Sequence, residues 1–152
     1  MEYTKRKNLN RGYMKLEVWQ RSMDLFGLAF QLSVKVSDLK LKSQFRDAAQ
    51  SVPANIAEGY GRRSLPEYLQ FLYIAKGSLS EAITRAIGLQ NVKVILKEEF
   101  EKFDQLHYEV ENKLLCLIES LEKKRQTNDW RDALPPTNPS IHQSINPLVP
   151  SP

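Results

Sequence analysis

Few side chains in this sequence have the types and spacing that nucleophilic catalysis requires. A Ser-His-Asp or Cys-His site needs a histidine beside its nucleophile, and the chain has two histidines, His107 and His142, and one cysteine, Cys116. Cys116 follows His107 by about two and a half helical turns, which is too far for a hydrogen bond. We therefore expect Cys116 to be a small apolar residue in or beside the core.

Metal chemistry in a helical bundle usually requires two Glu-x-x-His pairs with further glutamates facing inward. This chain has one partial match, Asp104-x-x-His107 with Glu111 one turn later. A lone histidine in an apolar stripe is more often packed and hydrogen-bonded than a ligand. No arginine lies four to six residues before either histidine, as a helical RNase of that type would need, and no glycine-rich phosphate loop occurs. The sequence predicts a non-enzymatic protein without cofactor or metal.

Clustered cations offer a third chemistry, the binding of phosphates. The net charge is +4, and the first 15 residues hold five bases against one acid, whereas the rest of the chain is balanced. In an antiparallel four-helix bundle, the start of the first helix, the turn between the second and third and the end of the fourth meet at one end. A positive end of this kind suits a phosphate backbone of any sequence. The candidate nucleic-acid-binding residues are Lys5, Arg6, Lys7, Arg11, Lys15, Arg62, Arg63, Lys123, Lys124 and Arg125.

Four amphipathic segments, about 16–36, 42–60, 64–95 and 98–125, position these residues. They predict an all-α fold, an antiparallel up-down-up-down four-helix bundle. The expected core stripe of the first helix is Leu16, Trp19, Met23, Phe26 and Phe30. The expected stripes of the others are Phe45, Ala49, Val52 and Ile56; Tyr68, Leu72, Ala75, Leu79, Ala82 or Ile83, and Ala86; and Phe100, Phe103, Val110, Leu114, Leu117 and Leu121.

Glycines, prolines and serines mark the limits of these helices. The Ser-Leu-Pro-Glu sequence at 64–67 is a capping box that starts the third helix. Gly59 and Gly61 are expected to end the second helix as C′ glycines, and Gly77 and Gly88 to be points of close contact. Six of the eight prolines lie in the last 18 residues. We therefore expect a basic flexible arm (1–13), the bundle (14–126) and a disordered proline-rich tail (127–152).

Composition narrows the cellular setting. No apolar stretch approaches the roughly 20 residues of a membrane-spanning helix. The N-terminus has no apolar core of a secretory signal, and one cysteine cannot form an intrachain disulfide. These features favour a cytoplasmic protein.

The segment 44–81 carries the most distinctive pattern. It resembles a family of four-helix-bundle proteins first noticed as open reading frames in intervening sequences of 23S ribosomal RNA genes, and the resemblance covers about 14–122, including Leu16-Glu-Val-Trp19. The pattern R-x-A-A-x-S-x-x-x-N-I-A-E-G-x-x-R is matched by Arg46, Ala48, Ala49, Ser51, Asn55, Ile56, Ala57, Glu58, Gly59 and Arg62. The pattern F-L-x-x-A-x-G-S-L-x-E is matched by Phe71, Leu72, Ala75, Gly77, Ser78, Leu79 and Glu81. Asp47 departs from it, since a second arginine often follows the first.

The resemblance implies a homopentamer with no established enzymatic activity. A related branch is the accessory protein of diversity-generating retroelements, whose basic pentameric barrel binds nucleic acid and a reverse transcriptase. The partners implied are further copies of this chain and an RNA or a reverse transcriptase. The polar motif residues allow two interpretations, a structural role in the loop and helix register or a nucleic-acid or ligand site. On the structural interpretation, Glu81 faces Arg62 and Arg63. The motif residues to which a structural role is assigned are Arg46, Asn55, Glu58, Gly59, Gly77 and Glu81.

Residues outside the stripes also favour a homo-oligomer, since they leave more apolar surface than one bundle can hide. They are small (Ala48, Ala57, Gly77, Ser78, Ala82) or large and apolar (Val18, Leu25, Leu28, Leu69, Tyr73, Ile87). The sequence thus predicts an oligomeric helical bundle that binds RNA or a ribonucleoprotein partner through a basic end. The alternatives are a structural or protein-interaction module without nucleic-acid binding and, third, an enzyme.

Overall fold

The computed structural model describes residues 11–128, which form one short 3-10 helix and four α-helices. The 3-10 helix is Gly12–Lys15, and the α-helices are α1 (Glu17–Ser33), α2 (Leu39–Tyr60), α3 (Leu65–Asn91) and α4 (Lys97–Thr127). This part of the chain contains no strand, so the all-helical prediction is confirmed. The predicted arm residues 1–10 and the predicted tail from 129 onward lie outside the described residues.

The four α-helices surround one core. Each packs against its neighbours in sequence, and α1 also packs against α4. Glu17 near the start of α1 pairs with Lys113 in the second half of α4. Lys35, just after α1, pairs with Glu99 in the first turn of α4. These two pairs show that α1 and α4 run in opposite directions along each other.

Side-chain caps fix the starts of three helices. The Asp38 carboxylate accepts a hydrogen bond from the Leu41 backbone N–H (2.8 Å) at the start of α2. The Ser64 hydroxyl accepts from the Glu67 backbone N–H and donates to its carboxylate (2.8 Å), so the predicted start of α3 is confirmed. The carboxylate of Glu99 accepts from the backbone N–H that precedes α4 (2.8 Å). Each bond satisfies a backbone or side-chain donor of a helical first turn.

The predicted stripes of α2, α3 and α4 face the core. Every predicted position of α2 and α3 is buried except Ile83, which is partly buried, and α4 buries all but Phe100 and Leu117, which pack against the core's edge. His107 is buried among them, and its Nε2–H donates to the Leu79 carbonyl oxygen of α3 (2.7 Å). This histidine is therefore a packed, hydrogen-bonded residue that connects α4 to α3.

The predicted stripe of α1 is wrong in part, since Leu16, Trp19 and Phe26 pack against the core but are not its buried face. The buried face of α1 consists of Val18, Ser22, Leu25, Ala29, Leu32 and Ser33. Met23 and Phe30 are exposed, and Trp19 and Phe26 are only partly buried. The two buried serines explain the difference, because each donates its hydroxyl hydrogen to a carbonyl three residues earlier and is satisfied inside the core. These two polar positions interrupt the apolar pattern of the buried face, whereas the face beside it is more uniformly apolar in sequence.

Two predictions about glycines need correction. As predicted, α2 ends at Tyr60 with Gly61 as its C-cap, but the expected C′ geometry is absent. Neither Gly59 nor Gly61 has the positive φ of a C′ glycine; Gly59 lies inside α2, and Gly61 has φ −79°. Gly59 is needed for close approach, since a Cβ there would lie 2.7 Å from Cβ of Phe71 on α3. By contrast, a Cβ at Gly77 or Gly88 would meet no atom within 4 Å, so neither is a close contact within the protomer.

Candidate nucleic-acid interface

An aromatic cluster holds the segment before α1 against the corner between α2 and α3. The Tyr13 ring lies 5.4 Å from Trp19 and 6.3 Å from Tyr60, measured between centroids. Tyr60 in turn lies 6.0 Å from Tyr68 of α3, edge to face. Burial raises the pKa of Tyr68, which therefore stays neutral. The cluster fixes the 3-10 helix, and the cations that flank it, at the end of the bundle where α2 meets α3.

The last turns of α4 reach the same end along α3. The Tyr73 hydroxyl donates to the Glu122 carboxylate (3.0 Å), and this hydrogen bond raises the pKa of Tyr73. The three bases that follow Glu122 therefore lie beside the first half of α3. We call the described cations gathered here the basic end: Arg11, Lys15, Arg62, Arg63, Lys123, Lys124 and Arg125.

The cations of the basic end differ in how far they are already engaged. Arg62 pairs with Glu58 (2.6 Å), and its guanidinium lies 4.6 Å from the centroid of the Phe71 ring. Within residues 11–128, the other six have no carboxylate within ion-pair distance. Lys124 is half-buried and the remaining five are exposed. The predicted site residues Lys5, Arg6 and Lys7 lie outside the described part of the chain.

Arg46, the first motif residue, connects α1 to α2. Its Nε donates to the Ser33 hydroxyl (2.6 Å), and its guanidinium lies 4.0 Å above the Phe30 ring. The half-buried side chain thus supplies a partner for one of the buried serines of α1 and covers one face of an aromatic ring. These contacts support a structural role for Arg46.

Asn55 belongs to a polar network between α2 and α3. Its amide donates to the carbonyl oxygen of Ser51 (2.7 Å) and to the Ser51 hydroxyl (2.8 Å). The Ser51 hydroxyl also lies 2.9 Å from the hydroxyl of Ser78 on α3. The network fixes the register of the two helices, whose small residues let the backbones approach closely.

Glu81 does not face the arginines at the turn, as the sequence had suggested. Its carboxylate pairs with Arg85 (3.0 Å), whose guanidinium also donates to the Gln44 side chain (3.0 Å). Ten residues of α3 separate Glu81 from Phe71, over which Arg62 lies, and this corresponds to about 15 Å. Gly77 has no contact that a side chain would disturb. The motif therefore contains several separate contacts rather than one polar cluster.

Ion pairs between α1 and α4 are a feature that the sequence did not predict. Arg21 donates to both oxygens of Glu109 (2.9 and 2.8 Å) and to Asp24 (2.7 Å), and Lys113 pairs with Glu17 (2.7 Å). The hydrogen bond from Arg21 holds the pKa of Glu109 below its usual value. The only signal in the sequence is charges four residues apart on each helix, which does not reveal that the two helices adjoin.

A groove of about 570 Å³, also missed, lies at the end opposite the basic end. Its walls are mostly apolar and come from the start of α2 and the second half of α3. They are Leu41, Ser80, Glu81, Thr84, Arg85, Gly88, Leu89 and Val92. We call it the α3 groove.

Residues 11–128 contain no group of three His, Cys, Asp or Glu side chains arranged to hold a metal ion. None of the helices in this range is both long and apolar enough to cross a bilayer. The features that distinguish this part of the surface are the basic end, the α3 groove and the exposed large apolar side chains, which lie on or beside all four helices.

Four helices around one core, joined by short turns, define a four-helix bundle. The family model of the 23S rRNA-intervening sequence protein matches residues 14–115, and the chain belongs to this family. The matched span includes every motif residue and, from the basic end, Lys15, Arg62 and Arg63, whereas the bases at 123–125 lie beyond it. No curated protein matches the chain.

Proposed function

We propose that this protein is a non-enzymatic, self-associating helical bundle that binds RNA through its basic end. The observation that carries the proposal is the set of six cations there that have no carboxylate partner among the described residues. Cations that are not neutralised within the protein are available for phosphates, and each phosphate they neutralise releases a counterion. A surface of this type binds nucleic-acid backbones with little regard to sequence.

A purely structural explanation accounts for only part of this set. Lys124 and Arg125 lie in the last turn of α4, where cations stabilise the helix dipole. Arg11, Lys15 and Arg63 do not lie in the last turn of any α-helix, so their accumulation at the same end supports a binding role. The partner is an RNA, alone or in a ribonucleoprotein such as one that contains a reverse transcriptase.

Salt-dependent RNA binding tests the proposal. The wild type, Arg62→Glu/Arg63→Glu and a deletion of residues 1–12 are titrated with a labelled RNA at several salt concentrations. Both variants should bind more weakly, and the slope of log affinity against log salt should fall by about one per lost phosphate contact. The matched control is Lys40→Glu/Lys42→Glu at the opposite end, which should bind as the wild type does. Absent binding, or an equal loss in the control, would reject the basic end as the site.

A second candidate function, a protein-interaction module without nucleic-acid binding, has its own supporting observation. Met23, Phe30 and Val34 of the first helix and its cap form an apolar surface that is 40%, 46% and 66% exposed. Exposed apolar faces of this kind are typical of association surfaces. Self-association in light scattering, combined with no RNA binding at low salt, would favour this alternative. The pentamer that the family implies remains part of the proposal in both cases.

The residues behind this self-association differ from those that the sequence suggested. Val18, Leu25 and Leu69 are buried within the protomer, as are Ala48 and Ala82. Tyr73 and Ile87 are exposed as expected. In the proposal, the exposed surface of α1 therefore replaces those buried residues as the surface of self-association.

A further inference from the structure

Two helical faces on opposite sides of the bundle are largely exposed within residues 11–128, although Arg46 covers one face of the Phe30 ring. The first, the α1 outer face, carries the large side chains Met23, Phe30 and Val34 with Gly27 between them. The second, the α3 outer face, carries the small residues Gly77, Ser80, Thr84 and Gly88 beside the ion pair of Glu81 with Arg85, and all of these except Gly77 line the α3 groove. One face is bulky and the other is recessed.

The glycines on these faces have no explanation inside the protomer. Glycine within a helix is destabilising relative to alanine, because it loses more conformational freedom on folding. A Cβ at Gly27, Gly77 or Gly88 would meet no protein atom within 4 Å. By contrast, a Cβ added at Gly12 or Gly59 would lie within 3 Å of a neighbouring side chain. The three open glycines lie on the two outer faces, as they would if another helix approached there.

The contacts within the protomer show which parts of the two faces lie at the same height along the bundle. Arg46 covers Phe30, and two residues earlier on α2 Gln44 bonds to Arg85. Two residues of helix correspond to about 3 Å. Phe30 on α1 therefore lies level with Thr84 on α3, to within one helical turn, and Val34 one turn later lies level with Gly88.

The two faces also correspond in height nearer the basic end. Met23 precedes Phe30 by seven residues, about 10 Å, and is therefore level with Pro53 on α2. Ser51, two residues from Pro53, bonds to Ser78 of α3. Met23 accordingly lies level with Gly77. At three successive heights, a bulky residue of α1 corresponds to a small residue of α3.

We propose that the α1 outer face of one copy packs onto the α3 outer face of the next copy, with Phe30 and Val34 entering the α3 groove. This inference rests on the self-association in the proposed function. Within one copy α1 and α3 are not neighbours, because each packs against α2 and α4, so the two faces can meet only between copies. Both helices start at the basic end and therefore run in the same direction.

The similar heights indicate how the copies are related. Rotation about an axis parallel to the helices, with a shift along it of less than one helical turn, brings Phe30 to Thr84 and Val34 to Gly88. Such a rotation is compatible with a closed ring, in which no net shift remains and every basic end lies on the same rim.

The sizes of the surfaces are compatible with such a contact. The groove of about 570 Å³ lies within the range that encloses a small ligand, and so has room for two side chains. The contact, over the length of α1 and the width of two helices, covers roughly 25 by 20 Å on each side. That is modest against the roughly 800 Å² per partner of a standard interface. In a ring, however, each copy makes two such contacts.

Directed cross-linking tests this pairing. In a Cys116→Ser background, which removes the one native cysteine, a Val34→Cys protein and a Gly88→Cys protein of different tag sizes are mixed and oxidised. The pairing predicts a disulfide between the two tagged species, since bonded cysteines need Cα atoms about 4.4–6.8 Å apart. Neither protein should cross-link to itself, and a chain with both substitutions should give a ladder of linked oligomers.

The outcomes separate this inference from the function on which it rests. Cross-linking of Val34→Cys to itself would indicate contact between two α1 faces and would overturn the pairing. So would a protein that associates in light scattering yet forms no 34–88 disulfide. A wild type with the mass of one protomer would reject self-association and the pairing together.

A bulky substitution supplies an independent measurement. Gly88→Trp should leave the protomer folded, because no protein atom lies within 4 Å of the added Cβ, but should obstruct the groove. We expect the mass in solution to fall to that of one protomer, with unchanged helical circular dichroism. Tyr108→Trp, at an exposed position of α4, is the control and should assemble as the wild type does. Unchanged assembly of Gly88→Trp would contradict the pairing.

Discussion

The contact between α2 and α3 and the contact between α1 and α4 are held by different chemistry. Between α2 and α3, Gly59 packs against Phe71, and Ser51 hydrogen-bonds to Ser78. Between α1 and α4, ion pairs bridge the outer edge, and the bidentate contact of Arg21 with Glu109 is the most extensive. One contact depends on small residues that let backbones approach, and the other on long side chains that reach across.

The difference shows why the recognisable motif lies where it does. Close approach restricts residue type at many positions, since a single added methyl group is felt in a packed interior. Surface ion pairs restrict it little, because many combinations of charge serve and each contributes modestly. A distinctive sequence pattern is therefore expected along α2 and α3, and that is where 44–81 lies.

The largest effect is expected from Gly59→Ala. The added Cβ would lie 2.7 Å from Cβ of Phe71 and 3.2 Å from the Tyr68 carbonyl oxygen, so the α3 backbone must shift. We expect a loss of about 1–3 kcal/mol in the free energy of unfolding, measured by denaturant titration. Gly77→Ala is the control, compared in the Gly88→Trp background in which copies should not associate; there it should gain about 0.5–1 kcal/mol, because its Cβ meets no atom of the protomer. A stable Gly59→Ala protein would mean that the two helices are not closely packed.

A smaller effect is expected from Ser51→Ala. The substitution removes the hydroxyl that bonds to Ser78 and accepts from Asn55, although Asn55 keeps its bond to the carbonyl of residue 51. The expected cost is about 1 kcal/mol in the free energy of unfolding. Ser43→Ala is the matched control, since the exposed Ser43 hydroxyl bonds only to a carbonyl of its own helix. Equal effects of the two substitutions would show that the network contributes nothing specific.

The smallest effect is expected from Glu109→Gln, and it should depend on pH. Hydrogen bonds from Arg21, Lys113 and Lys35 hold the pKa values of Glu109, Glu17 and Glu99 below their usual value. The unfolded chain therefore binds more protons in acid, so this stabilisation is present above the unfolded pKa of about 4.3 and is lost as the pH falls through the folded values.

Unfolding of the wild type and Glu109→Gln is measured from pH 7 to pH 3. The variant should lose less stability over this interval, because one of the lowered carboxyl groups is absent. Glu119→Gln, an exposed position on the same helix, should follow the wild type. Parallel pH profiles for the wild type and Glu109→Gln would show that the ion pair does not stabilise the folded state.

Much of the fold follows from local patterns. The stripe of α2 is continuous, and the Ser64–Glu67 box marks the beginning of α3, because periodicity and capping depend on residues within one helix. The same reasoning failed for α1, where Ser22 and Ser33 are buried. A serine that bonds to its own helix is compatible with the core, yet in sequence it resembles a surface residue.

The candidate site was predictable to a lesser degree. The sequence identified the cations, and the structure brings the described ones to one end through the contacts of Tyr13 with Tyr60 and Tyr73 with Glu122. The sequence did not show that Arg62 is already paired with Glu58, or that the α3 groove exists. Pairing and cavities depend on the distance between elements, which no local pattern contains.

The sequence by itself determined the helices, their approximate limits, three of the four core stripes and the family, because these depend on residue type and spacing along one segment. The tertiary structure decided which face of α1 is buried and which helices form ion pairs with each other. It also decided which glycines have a neighbouring side chain packed against them and which do not. Those features depend on the register and rotation of each helix against its neighbours. They are set by the packing of the whole core, in which a buried serine with a satisfied hydroxyl is as acceptable as an apolar side chain.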